Sequence, residues 1–410
     1  MLLNRSTVGV DSRTTASPVN RTRHTCPRTL QLQFRNWSTR HLGRSRHRTW
    51  ASLSHRDVGT APPKQVPSKR DTLRLAIPSK GRMAEDTQQL LKECQLSVYK
   101  PNPRQYTAQI PLMPQLEVWF QRASDVVRKL SYGDMDLGIV GMDMFAELSN
   151  EDPDLVVVHD ALDFGHCHLG LGVPMGGKFA DISTLDQLRS MPEWSESNPL
   201  RVVTGYQNVA RKFFQEKGFE HVVLLSADGA LEAAPLMGSA DIILDLVSTG
   251  VTLRENNLKE LEGGHILWSQ GVLVANRRAL KERPGLLEVV HELIERFEAH
   301  LEAGKFYQVL ANMRGDSAAE VAGRLLEQPR LCGLQGPTIS PIYNKTDDGS
   351  IGECGYFDCT ICVPKKEIYA AVKGVRQAGG SGVVVSPITY IFEEEPARWR
   401  KLLDSLDLEH

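Results

Sequence analysis

Glu232 to Leu258 reads EAAPLMGSADIILDLVSTGVTLRENNL. Its centre is an apolar run, Asp241-Ile-Ile-Leu-Asp245, which reads as a strand. The chain then enters Ser248-Thr249-Gly250-Val251-Thr252, a turn of small and hydroxyl-bearing residues. Gly250 can adopt positive φ, which lets successive backbone N–H groups converge on one point. Ser248, Thr249 and Thr252 add hydroxyl donors. Together they would form a cradle for a phosphate group just beyond a strand end, with Asp245 placed to accept from sugar hydroxyls. Residue chemistry alone leaves a second reading open, a strand followed by an ordinary Ser/Thr-rich turn that caps a helix.

Working outward, the chain shows repeated strand–turn–helix units. Leu73–Ile77 is a short β-run, Ser79-Lys80-Gly81-Arg82 a glycine turn, and Met83, Thr87, Leu90, Leu91 and Cys94 mark one face of a helix. A helix is expected over 124–132, a strand over 137–140 ending in the Gly141 turn, and another strand over 155–158. Beyond Asp163-Phe164-Gly165 come a strand near 201–203, a helix over 208–217 and a strand over 222–225. This alternation predicts an α/β fold of two lobes. The chain should cross near 163–165 and return near Gly263-Gly264, with ligands bound at strand carboxyl ends. Asp163-Phe164-Gly165 resembles a kinase magnesium motif, but no kinase-type glycine loop or catalytic-loop motif accompanies it, so a hinge is expected.

The amino-terminal residues 1–70 carry 14 Lys and Arg against two acids, leaving 34 basic and 48 acidic residues in 71–410. The acidic body argues against nucleic acid as the main partner. No run of about 18 apolar residues is present, which excludes a membrane helix. The Arg/Ser/Thr-rich amino terminus fits an organelle transit peptide joined by a Pro-rich linker, Ala61–Pro67, with a basic binding arm as the alternative. The cysteines are scattered. Cys359-Thr-Ile-Cys362 has no partner ligand pair nearby and falls in a strand pattern, so structural thiols are expected, with a redox switch as the alternative, rather than a zinc site.

The 232–258 string closely resembles the phosphoribosyl-diphosphate-binding segment of the ATP phosphoribosyltransferases, which open histidine biosynthesis. Glu232, Pro235, Gly238-Ser-Ala-Asp241, the run from Asp245 to Leu253 and Asn256-Asn257-Leu258 carry the match; Ser239 departs from a usual Leu. Further matches extend over roughly 72–392. The resemblance implies transfer of the phosphoribosyl group to N1 of ATP, with release of diphosphate. It implies two lobes like type II periplasmic binding proteins and a C-terminal ACT-like ββαβ regulatory block that binds histidine. That block would comprise strands at 338–343 and 355–363, a helix over 365–378 ended by Gly379-Gly380, and a strand at 383–385.

The expected domains are then a transit segment (1–70), lobe I (71–164), lobe II (165–264), a return segment (265–328) and the regulatory domain (329–410). Lys80, Arg82 and Arg122 are the expected catalytic residues. Glu232, Asp245, Ser248, Thr249, Gly250 and Thr252 would hold phosphoribosyl diphosphate, and Gly141 and Asp143 would meet ATP. Gly380, Ser381 and Gly382 would meet histidine. Mg²⁺ is expected as cofactor, with Asp245 and Glu232 as candidate neighbours and no dedicated cage. A homo-oligomer, dimer or hexamer, is implied, as is a plastid location with the mitochondrion as the alternative.

Overall fold

The computed structural model describes residues 70–227, 229–328, 330–345 and 349–408. The transit-segment and linker readings fall on residues outside these. Lobe I begins with β1 (Leu73–Pro78), α1 (Arg82–Glu93), β2 (Thr107–Gln109), β3 (Leu116–Gln121), α2 (Ala123–Ser131), β4 (Leu137–Gly141), α3 (Met142–Leu148) and β5 (Leu155–His159). Lobe II contains β6 (Cys167–Pro174), α4 (Leu185–Arg189), β7 (Leu200–Thr204), α5 (Gln207–Glu216), β8 (Val222–Ser226) and α6 (Ala234–Met237). It continues through β9 (Ile242–Val247), α7 (Val251–Glu255) and β10 (Leu258–Ser269). The chain then returns to lobe I through β11 (Gly271–Asn276), α8 (Arg277–Glu282) and α9 (Leu286–Ala303).

Lobe I is a six-stranded sheet ordered β2-β3-β1-β4-β11-β5, and lobe II a five-stranded sheet ordered β10-β6-β9-β7-β8. In each lobe a parallel core, β3-β1-β4 or β9-β7-β8, is joined by an antiparallel strand delivered by the crossing chain. That strand is β11 in lobe I and β6 in lobe II. Alternation along β1 explains the layering. Leu73, Leu75 and Ile77 enter one core with Phe297 of α9, while Ala76 faces the opposite core with Val126 and Leu130 of α2.

The two lobes use the same device at the start of their parallel strands. Asp136, just before β4, accepts from the Arg74 N–H (2.8 Å) and pairs with Arg70 and Arg283. Asp241, just before β9, accepts from the Arg201 N–H (3.0 Å) and pairs with the Arg201 and Lys178 side chains. Burial pushes the Asp136 carboxyl up and the Arg70 guanidinium down, and this outweighs their mutual attraction. The cluster therefore fixes strand order more than it stabilises, since desolvation offsets the Coulomb gain of buried pairs. Burial also opposes ionisation of the more exposed Asp241, but there the Arg201 and Lys178 hydrogen bonds win and hold the carboxyl below its usual range.

The expected return at Gly263-Gly264 moves. Those glycines form an irregularity inside β10, where its register against β6 shifts between Glu260 and His265. The crossing lies at Gln270, where Gly271 donates to the Phe164 carbonyl (2.8 Å) and Leu162 donates to the Gly271 carbonyl (3.0 Å). The two linkers thus pair where they cross. A Cβ at Gly271 would lie 2.5 Å from the Phe164 ring, so this close approach requires glycine. Asp163-Phe164-Gly165 is this hinge, with Asp163 and Gly165 at φ +61° and +68°.

The third sheet also starts earlier than expected. It comprises β12 (Phe306–Arg314), β13 (Thr338–Lys345), β14 (Ile351–Pro364) and β15 (Gly380–Pro387), in the order β13-β14-β12-β15, with α10 (Ala318–Leu326) and α11 (Ile368–Gln377). The expected strands and helix of the ββαβ block are present. However, β12 sits inside the sheet, so 306–328 belongs with it rather than with the return segment. The final helix, α12 (Ala397–Leu406), leaves this sheet altogether and inserts Leu402 and Leu406 into the lobe I core. Cys359 and Cys362 lie on β14 with thiols pushed up by burial, Cys359 to about 11, which suits structural cysteines. Among the described residues no helix is long and apolar enough to cross a membrane.

Candidate active site

Three neighbouring parallel strands of lobe I end side by side. β1 leads to Lys80-Gly81-Arg82, β3 to Arg122 and β4 to Gly141. The N–H of Ser79 bonds the Gln121 carbonyl at 2.8 Å, fixing the first two loops together. Gly81, at φ +74°, opens the 12-residue α1 without a side-chain cap. Its first N–H groups therefore remain available to an anion, beside the exposed Lys80 and Arg82. Arg122 is exposed at the start of α2. None of the three basic side chains has an ion-pair partner among the described residues, so this edge is an unneutralised cationic rim.

In lobe II, β9 carries Asp245 and ends in the Ser248–Gly250 turn. A pocket of about 140 Å³ is lined by Glu232, Asp245, Ser248, Thr249, Gly250 and Thr252 together. All six residues assigned from sequence to the ribosyl donor thus meet in one concavity. Gly250 takes φ +67°, the left-handed conformation that turns the chain into the cradle. Asp245 accepts from the Leu246 N–H at 2.8 Å, yet burial, reinforced by the neighbouring Glu232, pushes its carboxyl up. Two carboxylates disfavouring each other in a half-buried pocket suit hydroxyl donors or a cation.

A second cavity of about 390 Å³ shares Ser248 and spans the lobes, with Met142 on one side and His168, Trp268 and Ser269 on the other. Strand register sets Val247, His168 and Trp268 in one row across β9, β6 and β10. His168 stacks on His265 (5.2 Å between centroids), and His265 meets Trp268 at 4.4 Å. His168 also hydrogen-bonds Glu260 at 2.6 Å. Trp268 remains 74% exposed, an aromatic face open to the cavity. Sequence reading missed this platform. His265 and Trp268 lie three apart, and only the β10 irregularity brings them together with His168.

Asp143, expected to meet ATP, is held across the lobes. It is buried, and both carboxylate oxygens are already engaged, by the Tyr206 hydroxyl (2.8 Å) and the Ser269 hydroxyl (2.5 Å). Gly141 is glycine because a Cβ there would sit 2.3 Å from the Asp143 carboxylate. Both residues are parts of a latch between the lobes. Burial and Asp143 push the Tyr206 phenol up, so its hydroxyl stays a donor. Glu147 of α3 completes the latch, accepting from the N–H groups of Asn208 and Val209 (3.0 Å each) at the start of α5. No local sequence pattern marks Glu147 or Tyr206, because their partners lie about 60 residues away.

Tyr206→Phe should leave one Asp143 oxygen buried without a donor and cost about 1–3 kcal/mol. The measurement is the urea unfolding midpoint. An unchanged midpoint would mean that the contact holds nothing together.

The residues expected to meet histidine lie on the edge strand β15. Gly379 at φ +94° ends α11, and Ser381 is exposed, its hydroxyl donating to the Asn312 carbonyl at 3.2 Å. Gly380 is a packing glycine, since a Cβ would come within 2.7 Å of the Val375 carbonyl. Gly382 takes φ +59° in more open surroundings.

A family model described as ATP phosphoribosyltransferase matches residues 122–299, and one described as HisG, C-terminal domain, matches 303–390. ATP phosphoribosyltransferase 1, chloroplastic, of Arabidopsis thaliana is 58% identical over 346 residues, covering 84% of each chain. An ATP phosphoribosyltransferase of a Bradyrhizobium strain is 30% identical, covering 80% of this chain and 96% of the other. Among solved structures, a chain of the ATP phosphoribosyl transferase (HisG:HisZ) complex from Thermotoga maritima aligns at 26% identity with a TM-score of 0.44. That alignment covers 55% of this chain and 99% of the other. With both family models matched and more than four fifths of close relatives aligned, this chain belongs to the ATP phosphoribosyltransferase family.

Proposed function

We infer that this chain transfers the 5-phosphoribosyl group of phosphoribosyl diphosphate to N1 of the ATP adenine, releasing diphosphate, the first step of histidine biosynthesis. The observation that carries the site reading is the convergence of all six donor-segment residues on one pocket that shares Ser248 with the interlobe cavity. In this reading Ser248, Thr249, Thr252 and the backbone around Gly250 take the 5′-phosphate. Asp245 and Glu232 accept from the ribose hydroxyls. Lys80 and Arg82, with the free N–H groups of α1, take the diphosphate as negative charge collects on it, and Arg122 adds to that rim. No covalent nucleophile is needed. The rate comes from alignment of two polyanions and from charges already in place when the leaving group departs.

Among the described residues no group of three His, Cys, Asp or Glu side chains forms a metal cage. The repelling pair Asp245 and Glu232 nevertheless fits a divalent cation that takes most of its ligands from substrate oxygens. Mg²⁺ held beside Asp245 would supply neutralising charge for the departing diphosphate.

The deciding assay is diphosphate release from ATP and phosphoribosyl diphosphate by the full chain; no release under any divalent condition would sink the reading. Arg82→Lys keeps the charge and loses the planar fork. It should lower kcat by about 10-fold while the KM for ATP changes little, since leaving-group charge grows toward the transition state. A change confined to that KM would make Arg82 an ATP anchor.

Histidine is the proposed inhibitor, bound by the third sheet around Ser381 and Gly382 and acting on lobe arrangement at a distance. Two variants that suggest themselves from sequence are unsuitable as tests. A bulky residue at Gly380 collides with α11, and truncation at Gln328 strands β12 and strips α12 from lobe I. The exposed Ser381 is better. Ser381→Phe should raise the histidine concentration for half-inhibition by about 10-fold and leave uninhibited turnover unchanged; unaltered inhibition would move the effector elsewhere. A homo-oligomer is proposed on the exposed apolar residues of this sheet, such as Ile351, Val384 and Val385. The chloroplastic Arabidopsis relatives support a plastid location for this chain.

A further inference from the structure

Glu260, His168, His265 and Trp268 stand next to the Ser248–Gly250 turn without a role in holding the ribosyl donor. Antiparallel register places them. Gly170 of β6 pairs with Asp245 on one side and His265 on the other, and His168 pairs with Val247 and Trp268. Directly paired residues point to the same side of a sheet, so His168, His265 and Trp268 share the face that carries Asp245. His265 and Trp268, three apart in sequence, reach one face because the register of β10 shifts between His265 and Leu267.

These side chains form one connected row. A Cβ at Gly250 would lie 3.3 Å from Glu260 Oε1, so this carboxylate abuts the turn. Its other oxygen, Oε2, accepts from His168 Nε2 at 2.6 Å. His168 stacks on His265 at 5.2 Å between centroids and meets the Trp268 ring edge-on at 5.3 Å, while His265 meets Trp268 at 4.4 Å. Gly170 leaves room for the pair, since a Cβ there would come within 3.3 Å of His168. Burial, with His168 beside it, pushes the His265 ring down, so at neutral pH it is uncharged. Two rings thus fix the indole, yet Trp268 stays 74% exposed. Like His168 and Ser248, it lines the interlobe cavity of about 390 Å³. A rigid aromatic face left open in a cavity is where another flat ring stacks.

We propose that the Trp268 indole carries the adenine ring of ATP, with His168 and His265 as positioning residues that hold the indole and Glu260 tying them to the turn. This rests on the transferase reading of the same cleft. Stacking fixes the plane of a base and leaves its edge free. The reaction needs that freedom, because N1 lies on the edge and must reach C1 of a ribose placed at Asp245. Asp245 and His265 are separated by two strand spacings, roughly 10 Å, which accommodates a base ring beside a sugar ring. The platform therefore sets the approach of the nucleophile rather than the departure of the leaving group.

Trp268→Ala in the full chain should raise the KM for ATP by about 10-fold or more, the loss expected when one base–aromatic stack is removed, and leave the KM for phosphoribosyl diphosphate unchanged. The indole is mostly exposed, so its removal does not threaten the fold. Trp268→Phe keeps a ring and should recover most of the difference. His265→Ala should weaken ATP several-fold, again without effect on the donor. Calorimetric titration without the ribosyl donor, where no turnover occurs, compares ATP with tripolyphosphate, which has the phosphates and no base. Trp268→Ala should weaken ATP and leave tripolyphosphate as it is in the parent chain. An unshifted KM for ATP in Trp268→Ala, or equal weakening of ATP and tripolyphosphate, overturns the platform while the transferase reading stands. A parent chain that releases no diphosphate and binds no ATP at millimolar concentration overturns the transferase reading, and the platform with it.

Discussion

Gly250→Val is expected to reduce kcat/KM for phosphoribosyl diphosphate by about 100-fold or more, while the chain remains folded. Gly250 sits at φ +67°, ψ 5°. A β-branched residue in that region costs on the order of 1–3 kcal/mol of strain. The new Cβ would also lie 3.3 Å from Glu260 Oε1 and 3.4 Å from Arg254 Nη1, so two flexible side chains must give way at the mouth of the cradle. The chain can relieve the strain by rotating out of the left-handed region, and that rotation turns the neighbouring N–H groups off their common point. Each hydrogen bond lost to a charged phosphate costs about 1.5–3 kcal/mol, so two are enough for the stated effect. Gly250→Ala, with the same sign of strain and no branching, should fall between. The readouts are donor KM and direct donor binding. Unchanged donor affinity in the valine variant would place the phosphate elsewhere.

The cradle is legible in sequence for a physical reason. A phosphate loop is built from contiguous residues, and its glycine, hydroxyls and preceding strand appear in the order in which they act. The same holds for Lys80-Gly81-Arg82 at the start of α1. The parallel strands are legible because burial on both faces makes them continuous apolar runs, as in Leu137-Gly-Ile-Val140. What is not legible depends on distant partners. Asp143 looks like a ligand contact because a glycine and a carboxylate after a strand suit that role; its actual partners, Tyr206 and Ser269, are 63 and 126 residues away. The strand β12 merges with the preceding helix in sequence because Val309, Leu310 and Ala311 continue the apolar density of α9. Only the two-residue alternation of Val309, Ala311 and Met313 into the third core separates them. The Gly263-Gly264 pair announces a break in regular structure, and it is one, but β10 absorbs it as an irregularity and the chain crosses only at Gln270.

Asp245→Asn is expected to move activity and stability in opposite directions. Burial, with Glu232 beside it, raises the Asp245 carboxyl in the folded chain. Below the unfolded carboxyl value of about 3.9 both states are protonated and the residue is neutral to stability. As pH rises past that value the unfolded chain gives up the proton first, so stability falls until the folded carboxyl ionises too, and the full cost persists above that point. At neutral pH the ionised side chain therefore weakens the fold. Asparagine keeps an oxygen for the Leu246 N–H and carries no charge, so the variant should melt roughly 1–3 °C higher at neutral pH, with the gain disappearing as pH falls toward about 4. The same change should lower kcat/KM for the ribosyl donor by about 100-fold, because the hydroxyl bonds to a charged acceptor are worth about 1.5–3 kcal/mol each. A lower melting temperature would mean that the carboxylate serves the fold. Near-normal turnover would mean that it does not touch the ribose. A protein that retains a destabilising carboxylate next to a second one, beside the turn proposed to cradle phosphate, is holding negative charge where a hydroxylated or cationic ligand can make use of it.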